Sequence, residues 1–458
     1  MRKYAPMLTV SGLAMVIALA VTPAARAKQA SNAATPAQTS VQAPINPSPT
    51  ASAPVTPPGT VVTQYTLPPE LYRKARNLNK ARFMFDMLAP LYGLVILWLV
   101  LQWRLAPKFR DWAEKRTGRR FLQAVVFVPL ILLSIDILEL PTGIFENWEL
   151  RRYGLSLQGW ASWSWDWVKG EMVSIIIGTI LVAILYAVIR NSPRRWWLYF
   201  WAISLPIGIF LIFLQPLVID PLFHKFEPLQ QKDPELTAAL EKMVQRAGRN
   251  IPPERMFWMN ASQKENVVNA YVTGFGSSKR IVVWDTTIAK MTTPQIVFVA
   301  GHEMGHYVLN HIPKEVAYLA AGLFLFFYVG YRLIGWVLRR WGEGWEIRGL
   351  DDWASLPALL LLLGILTFVA SPIDNAVSRH FEHQADQYGL EVTHGLTPDS
   401  EQVAAQAFQT LGQVNLADPR PIWLGIILTY NHPSIAERIR FALTYDPWVH
   451  GGHGEFVR

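Results

Sequence analysis

The 458-residue chain contains no cysteine. Neither a disulfide nor a thiolate metal ligand can form, so any metal site must be built from histidines and carboxylates. Charge is sparse as well, at 17% of residues, against about a quarter in an ordinary soluble domain. There are only 10 histidines. No nucleic-acid motif accompanies the net charge of +8, and no internal repeat is visible. The chain is instead rich in apolar residues: 51% are hydrophobic, 19 are Trp, and the mean hydropathy is positive. That sets it apart from soluble enzymes, and its length exceeds one ordinary domain.

Six apolar runs approach the ~20 residues needed to span a bilayer. They lie at about 86–103, 121–140, 172–189, 196–217, 315–338 and 355–371. The lipid bilayer is therefore an expected partner, and the positive charge reads as loop charge that sets orientation. The loop after the first run holds Arg104, Lys108, Arg110, Lys115, Arg116, Arg119 and Arg120. The turn after the third holds Arg190, Arg194 and Arg195. The positive-inside rule puts both in the cytoplasm, and segment 218–314 and the C-terminus then face the other side. This predicts an inner-membrane protein with its soluble part extracytoplasmic. Trp160, Trp163, Trp165 and Trp167 suit an interfacial belt. Asp136 and Glu139, at the end of the second run, either mark a functional site or sit at the water boundary or in a wet cavity.

Residues 1–27 read as a signal peptide or uncleaved anchor. Arg2 and Lys3 precede an apolar stretch from Met7 to Val21, and Ala25-Arg26-Ala27 fits a cleavage site. Residues 28–66 are rich in Ala, Pro, Ser and Thr and are expected to be a disordered tether. A membrane domain over 67–217 and a peptidase domain over 218–458, interrupted by the last two runs, complete the expected plan. A basic amphipathic helix is expected from about Arg73 to Arg82. Helices are expected from Pro234 to about Ala247 and over 373–390, 398–413 and 434–445. Met256–Met259 reads as a strand, and Asn269–Phe275 with Arg280–Trp284 as a hairpin about Gly276-Ser277-Ser278.

One hexapeptide organises the rest: Gly301-His302-Glu303-Met304-Gly305-His306. Histidines four apart lie one turn apart on one helix face and can grip one ion, Zn(2+) by preference. Glu303 is placed to take a proton from the ion's water. Thr293 is the expected cap of this helix and Pro294 its first residue. The pair still needs a third ligand, and Glu382 is the best candidate. Asp386, four residues on, shares its face and can fix the tautomer of a ligand His. His380 and His383 are rival ligands. The chemistry expected is hydrolysis of a peptide or protein substrate by metal-activated water. The tetrahedral oxyanion needs a further donor, which His432 or Arg438 could supply, though either could equally be surface decoration. The strand at Asn269, Ala270 and Tyr271 is either a substrate-holding edge or an ordinary core hairpin.

Together His302-Glu303-x-x-His306, Asn269-Ala270-Tyr271, Ser378-Arg379-x-x-Glu382-x-x-x-Asp386, Asp220–Leu229 and Asn431-His432-Pro433 resemble the integral-membrane zinc CAAX prenyl endopeptidases of type 1. The resemblance covers roughly residues 66 to 445. It implies a mainly α, polytopic membrane protein: a helical membrane chamber with an α+β, gluzincin-like HExxH domain carrying a small hairpin. It implies His302, His306 and Glu382 as zinc ligands and Glu303 as base. It also implies His432 and Arg438 in transition-state or substrate binding, and Asn269 with its neighbours as the substrate strand. The signal-like start, the Pro-rich tether and the loop charge depart from the eukaryotic members. They favour quality control or processing of membrane or exported proteins, with CAAX-type processing resting on the resemblance alone. The competing functions are a catalytically inactive chamber acting as chaperone, receptor or lipid-binding protein, and a transporter.

Overall fold

The computed structural model describes residues 55–274, 278–449 and 451–457. The signal-like segment, most of the tether and the tip of the hairpin lie outside the described residues. The order of elements is α1 (Pro69–Gln102), α2 (Leu105–Arg116), α3 (Arg120–Arg152), α4 (Trp160–Asn191), α5 (Trp196–Leu214), β1 (Phe226–Pro228), α6 (Leu229–Lys232), α7 (Pro234–Arg246), β2 (Met256–Met259), β3 (Ala270–Thr273), β4 (Arg280–Trp284), α8 (Asp285–Lys290), α9 (Thr293–Val308), α10 (His311–Trp341), α11 (Leu356–Thr393), α12 (Ser400–Val414), α13 (Trp423–Thr429) and α14 (Ile435–Thr444). Among the described residues, six helices are long and apolar enough to cross a membrane: α1, α3, α4, α5 with its extension to Leu222, α10, and α11 with the turn before it.

The helices run further than the apolar stretches that announce them. The basic segment after Arg73 and the first apolar run form one helix, α1, with Pro90 inside it. The last span and the helix expected over 373–390 are likewise one, α11, carrying Pro372. Because α3 continues to Arg152, Asp136 and Glu139 lie inside the helix and are buried. Glu139 packs against Gly93 of α1.

Three connections are tied together at one end of the spans. Arg104 pairs with Glu346 at 2.6 Å, Arg110 with Asp352 at 2.6 Å, and Arg348 with Glu114 at 2.8 Å. Arg190 donates to the Asp351 carbonyl at 2.9 Å. The soluble domain sits at the opposite end. There a joint core brings Ala75 and Leu78 of α1 and Leu150 of α3 against Met259, Tyr271, Val282 and Trp284.

The sheet order is β1-β2-β4-β3. β2 and β4 are parallel, and the outer two pairings are antiparallel. The expected hairpin is therefore present as β3 and β4, with β3 at the sheet edge. The main core packs α7, α9, α12 and α14 together through Leu240, Phe298, Phe408 and Ile439.

One boundary needs correction. The chain is not a loose tether as far as residue 66: it is packed from Val55 onward. Val62 and Tyr65 are buried in the main core. Val55 donates to the Lys290 carbonyl at 2.9 Å, and the Thr56 carbonyl accepts from Gln295 at 3.0 Å. Polar, Pro-rich composition misled here because side chains of α9 and α12 satisfy the strap's backbone, with no need for a core of its own.

Candidate metal centre

The helix bearing the two histidines is fixed at its start. Thr292, one residue earlier than expected, is the cap. Its hydroxyl accepts from Gln295 N–H, and the Gln295 side chain accepts from Thr292 N–H at 3.2 Å. This reciprocal pair is a capping box. Thr293 falls inside the first turn.

The third member of the group, the Glu382 carboxylate, arrives on α11, which packs on α9 more closely than ordinary side chains permit. A Cβ on Gly301 would lie 2.8 Å from Val392 Cγ1, and one on Gly305 would lie 3.0 Å from Tyr388. From the other side, a Cβ on Gly389 would lie 3.1 Å from the backbone nitrogen of His302. Three glycines thus let the helix axes approach until Glu382 reaches both imidazoles.

His302 Nε2 is 3.3 Å from Glu382 Oε2, and His306 Nε2 is 3.9 Å from Glu382 Oε1. One donor atom from each of the three lies within 4.8 Å of the others. Among the described residues this is the one such group of metal-ligating side chains. All three are buried. His306 Nε2 has no hydrogen-bond partner, a costly state for a buried polar atom unless a ligand completes it. Burial disfavours charge on His302, but Asp386 and Glu382 outweigh it and push the imidazole up to about 9. Burial holds His306 well below its ordinary value. A pocket of carboxylates that favours positive charge beside a neutral imidazole suits a divalent cation.

Glu303 Oε1 lies 4.0 Å from His302 Nε2, at the rim of the group. Asp386 Oδ1 takes the other nitrogen of His302, Nδ1, at 2.8 Å. Arg438 donates through Nε to Asp386 Oδ2 at 2.8 Å and through Nη2 to Asp386 Oδ1, and it covers the Phe408 ring at 4.3 Å. The Ser434–Glu437 capping box at the start of α14 sets Arg438 in that helix's first turn. Two of its nitrogens are therefore engaged by Asp386 behind His302. His432 is at the site: its Nε2 is 3.0 Å from Glu382 Oε2, and its Nδ1 is 2.8 Å from Asn431 Oδ1. Burial holds it neutral, near 4.

His380 and His383 are exposed and lie outside the group, because Glu382 alone of the three points inward from α11. Of the expected substrate strand, Asn269 is tied by its main chain: its N–H donates to Thr287 Oγ1 at 2.7 Å and its carbonyl accepts from Trp284 at 3.2 Å. Tyr271 sends its ring into the joint core, on the sheet face away from the main core that takes Ala270. By antiparallel alternation, the main-chain groups of Ala270 and Val272 turn toward the free edge. Sequence reasoning missed His311, which touches the back of His306, and Gln384, which touches the far side of His311. A third histidine five residues beyond the pair was the available signal.

Residues 230–446 match the family model for peptidase family M48. Residues 54–225 match the model for the CAAX prenyl protease N-terminal segment, described as five membrane helices. An uncharacterized metalloprotease of Bacillus subtilis, YhfN, is 38% identical over 82% of this chain and 86% of that protein. The CAAX prenyl protease 1 homolog of rice is 27% identical over 80% of this chain and 85% of its own length. The crystal structure of S. mikatae Ste24p shares the fold, with a TM-score of 0.69 and 24% identity over 82% of this chain and 89% of that one. Two adjoining family matches, a close bacterial relative and a buried His-His-Glu group on α9 and α11 agree: the chain belongs to peptidase family M48, in its membrane-embedded CAAX protease branch, and is a metalloendopeptidase.

Proposed function

We propose that His302, His306 and Glu382 hold one zinc ion and that the chain cleaves membrane or exported proteins on the extracytoplasmic face of the inner membrane. The observation that carries this is the convergence of three buried donors within 4.8 Å, flanked by Glu303. The chemistry of the donor set supports zinc: two imidazoles and one carboxylate leave a fourth position open. A bound zinc ion supplies Lewis acidity toward the scissile carbonyl and makes water a nucleophile near neutral pH.

The protein's side chains divide the remaining work. Glu303 takes the proton of the attacking water and returns it to the leaving amine. His432, beside the ligand carboxylate, is positioned for transition-state or substrate binding. Arg438 acts through Asp386, holding the proton of His302 on Nδ1 so that Nε2 keeps its lone pair. It is a positioning residue. The β3 edge at Ala270 and Val272 binds extended peptide by its main chain.

Sidedness is supported by the knitted end of the spans. Its connections carry Arg104, Arg110, Arg116, Arg190 and Arg195, which favours the cytoplasm. The strap at 55–66 packs with the metal domain at the other end. A reporter fused at the C-terminus tests this: activity of a periplasm-only enzyme is expected, and activity of a cytoplasm-only one overturns it. The prenylated substrates in the names of the plant and yeast relatives enter as a test arm, with a CAAX-type peptide assayed beside an unfolded protein.

Glu303→Gln tests the mechanism. Peptide hydrolysis is expected to fall by about 10²–10⁴-fold with zinc content unchanged. Unchanged turnover in a zinc-loaded variant would overturn the proposal. Chelation is expected to abolish hydrolysis, and added zinc to restore it.

A further inference from the structure

An imidazole can ligate through one nitrogen only if its proton sits on the other. For His302 that proton is held by Asp386. For His306 the arrangement is different and involves no charge. His306 Nδ1 lies 3.2 Å from Nδ1 of His311, and His311 Nε2 lies 3.1 Å from Gln384 Oε1. His311 is fully buried and stacked on Phe381 at 4.6 Å. Asn310 adopts a left-handed conformation, φ 56°, between α9 and α10, and this tight corner turns His311 back toward α9.

The hydrogen positions follow from the heavy atoms. Gln384 Oε1 is an acceptor, so His311 carries its proton on Nε2. His311 Nδ1 is then a lone pair and accepts from His306 Nδ1–H. The lone pair of His306 is left on Nε2, the atom that belongs to the metal-ligating group. Reversing any link places a proton on His306 Nε2 and removes it as a ligand. A neutral relay also avoids adding a further carboxylate to a site that already holds Glu303, Glu382 and Asp386.

We infer that His311 and Gln384 form a positioning pair that fixes the metal-binding tautomer of His306. This rests on the reading of His306 as a zinc ligand. The test is zinc retention by the full-length protein in detergent or nanodiscs, in competition with a chromophoric chelator. His311→Phe keeps a ring on Phe381 but offers no acceptor. His311→Asn gives up the ring but sets an oxygen where Nδ1 was. Zinc affinity is expected to fall about 10–100-fold in His311→Phe and to recover mostly in His311→Asn. Gln384→Leu is expected to weaken zinc similarly, and Gln384→Glu to retain it.

A packing role predicts the reverse order, with Phe normal and Asn weak, and that result overturns the inference. Equal affinity in wild type and all four variants overturns it while leaving the zinc reading intact. Wild-type protein that retains no zinc overturns both. If His311→Phe does not fold, the two Gln384 variants decide: wild-type affinity in Gln384→Leu overturns the inference.

Discussion

The membrane half and the metal-binding half differ in what they leave on the outside. In the metal-binding half, Phe298, Phe408 and Leu240 are inside. In the membrane half, Ile137, Ile176, Ile180 and Phe210 point outward, while Asp136, Glu139, Glu149 and Glu171 are buried between helices. Both halves keep an apolar core, the membrane half through Phe127 and Ile131, but hydrocarbon accepts apolar side chains on the outside as readily as a protein core does, and it rejects carboxylates.

Two alanine substitutions sharpen that contrast. Phe298, packed edge-on to Phe408 at 5.2 Å, loses a full core when truncated. Phe298→Ala is expected to cost about 3–5 kcal/mol. Phe210 on α5 is 61% exposed, and Phe210→Ala is expected to cost under about 1 kcal/mol in a bilayer, where lipid refills the space. Unfolding in nanodiscs measures both. Equal costs would break the comparison.

The seam between the halves gives a smaller, pH-dependent effect. Lys264 Nζ lies 3.3 Å from Asp166 of α4, and Glu265 next to it bridges to Ser156. Burial pushes the Glu265 carboxyl up to about 8, and Oε2 has no hydrogen-bond partner. A folded-state pKa above the unfolded one means that the folded protein holds a proton that the unfolded chain releases. Stability from this group is therefore full below about pH 4.5 and is lost as pH rises toward 8. The expected loss is on the order of 2–4 kcal/mol, and Glu265→Gln is expected to flatten it. Thermal midpoints from pH 5 to 8 decide, and an unchanged slope in the variant would count against the assignment.

How far the sequence announced all this also differs between the halves. Spans were legible as apolar runs, but not their ends, since α1 and α11 continue as helices into polar sequence that hydropathy cannot see. The candidate metal ligands were legible because helical spacing dictates which side chains share a face: 302 with 306, and 382 with 386. What spacing could not supply was the contact between α9 and α11. That depends on Gly301, Gly305 and Gly389 meeting across two distant segments. Arg438 was visible as a cation, but its commitment to Asp386 was not. His311 was overlooked because its partner, Gln384, carries no charge.

The smallest effect concerns a segment that belongs to the metal-binding half although it precedes the first span. Gln402, Gln406 and Gln409 line one face of α12 and grip the backbone of the strap. Gln402 accepts from Val62 N–H at 3.0 Å and donates to the Val62 carbonyl at 3.2 Å. Gln409 does the same at Thr66, at 3.3 and 2.6 Å, and Gln406 donates to the Thr60 carbonyl at 2.8 Å. These contacts read backbone, so the strap's sequence is free to be polar and Pro-rich provided it stays extended. Each hydrogen bond contributes about 0.5–1.5 kcal/mol net, so Gln402→Ala is expected to lower stability by about 1–2 kcal/mol. Hydrogen exchange should accelerate at Val62, which loses its acceptor, and remain slow at Phe298 in the core beneath. Equal acceleration at both positions would mean that the strap is part of the core's cooperative unit, and the division of the molecule into two halves would have to include it as structure that the metal-binding half cannot fold without.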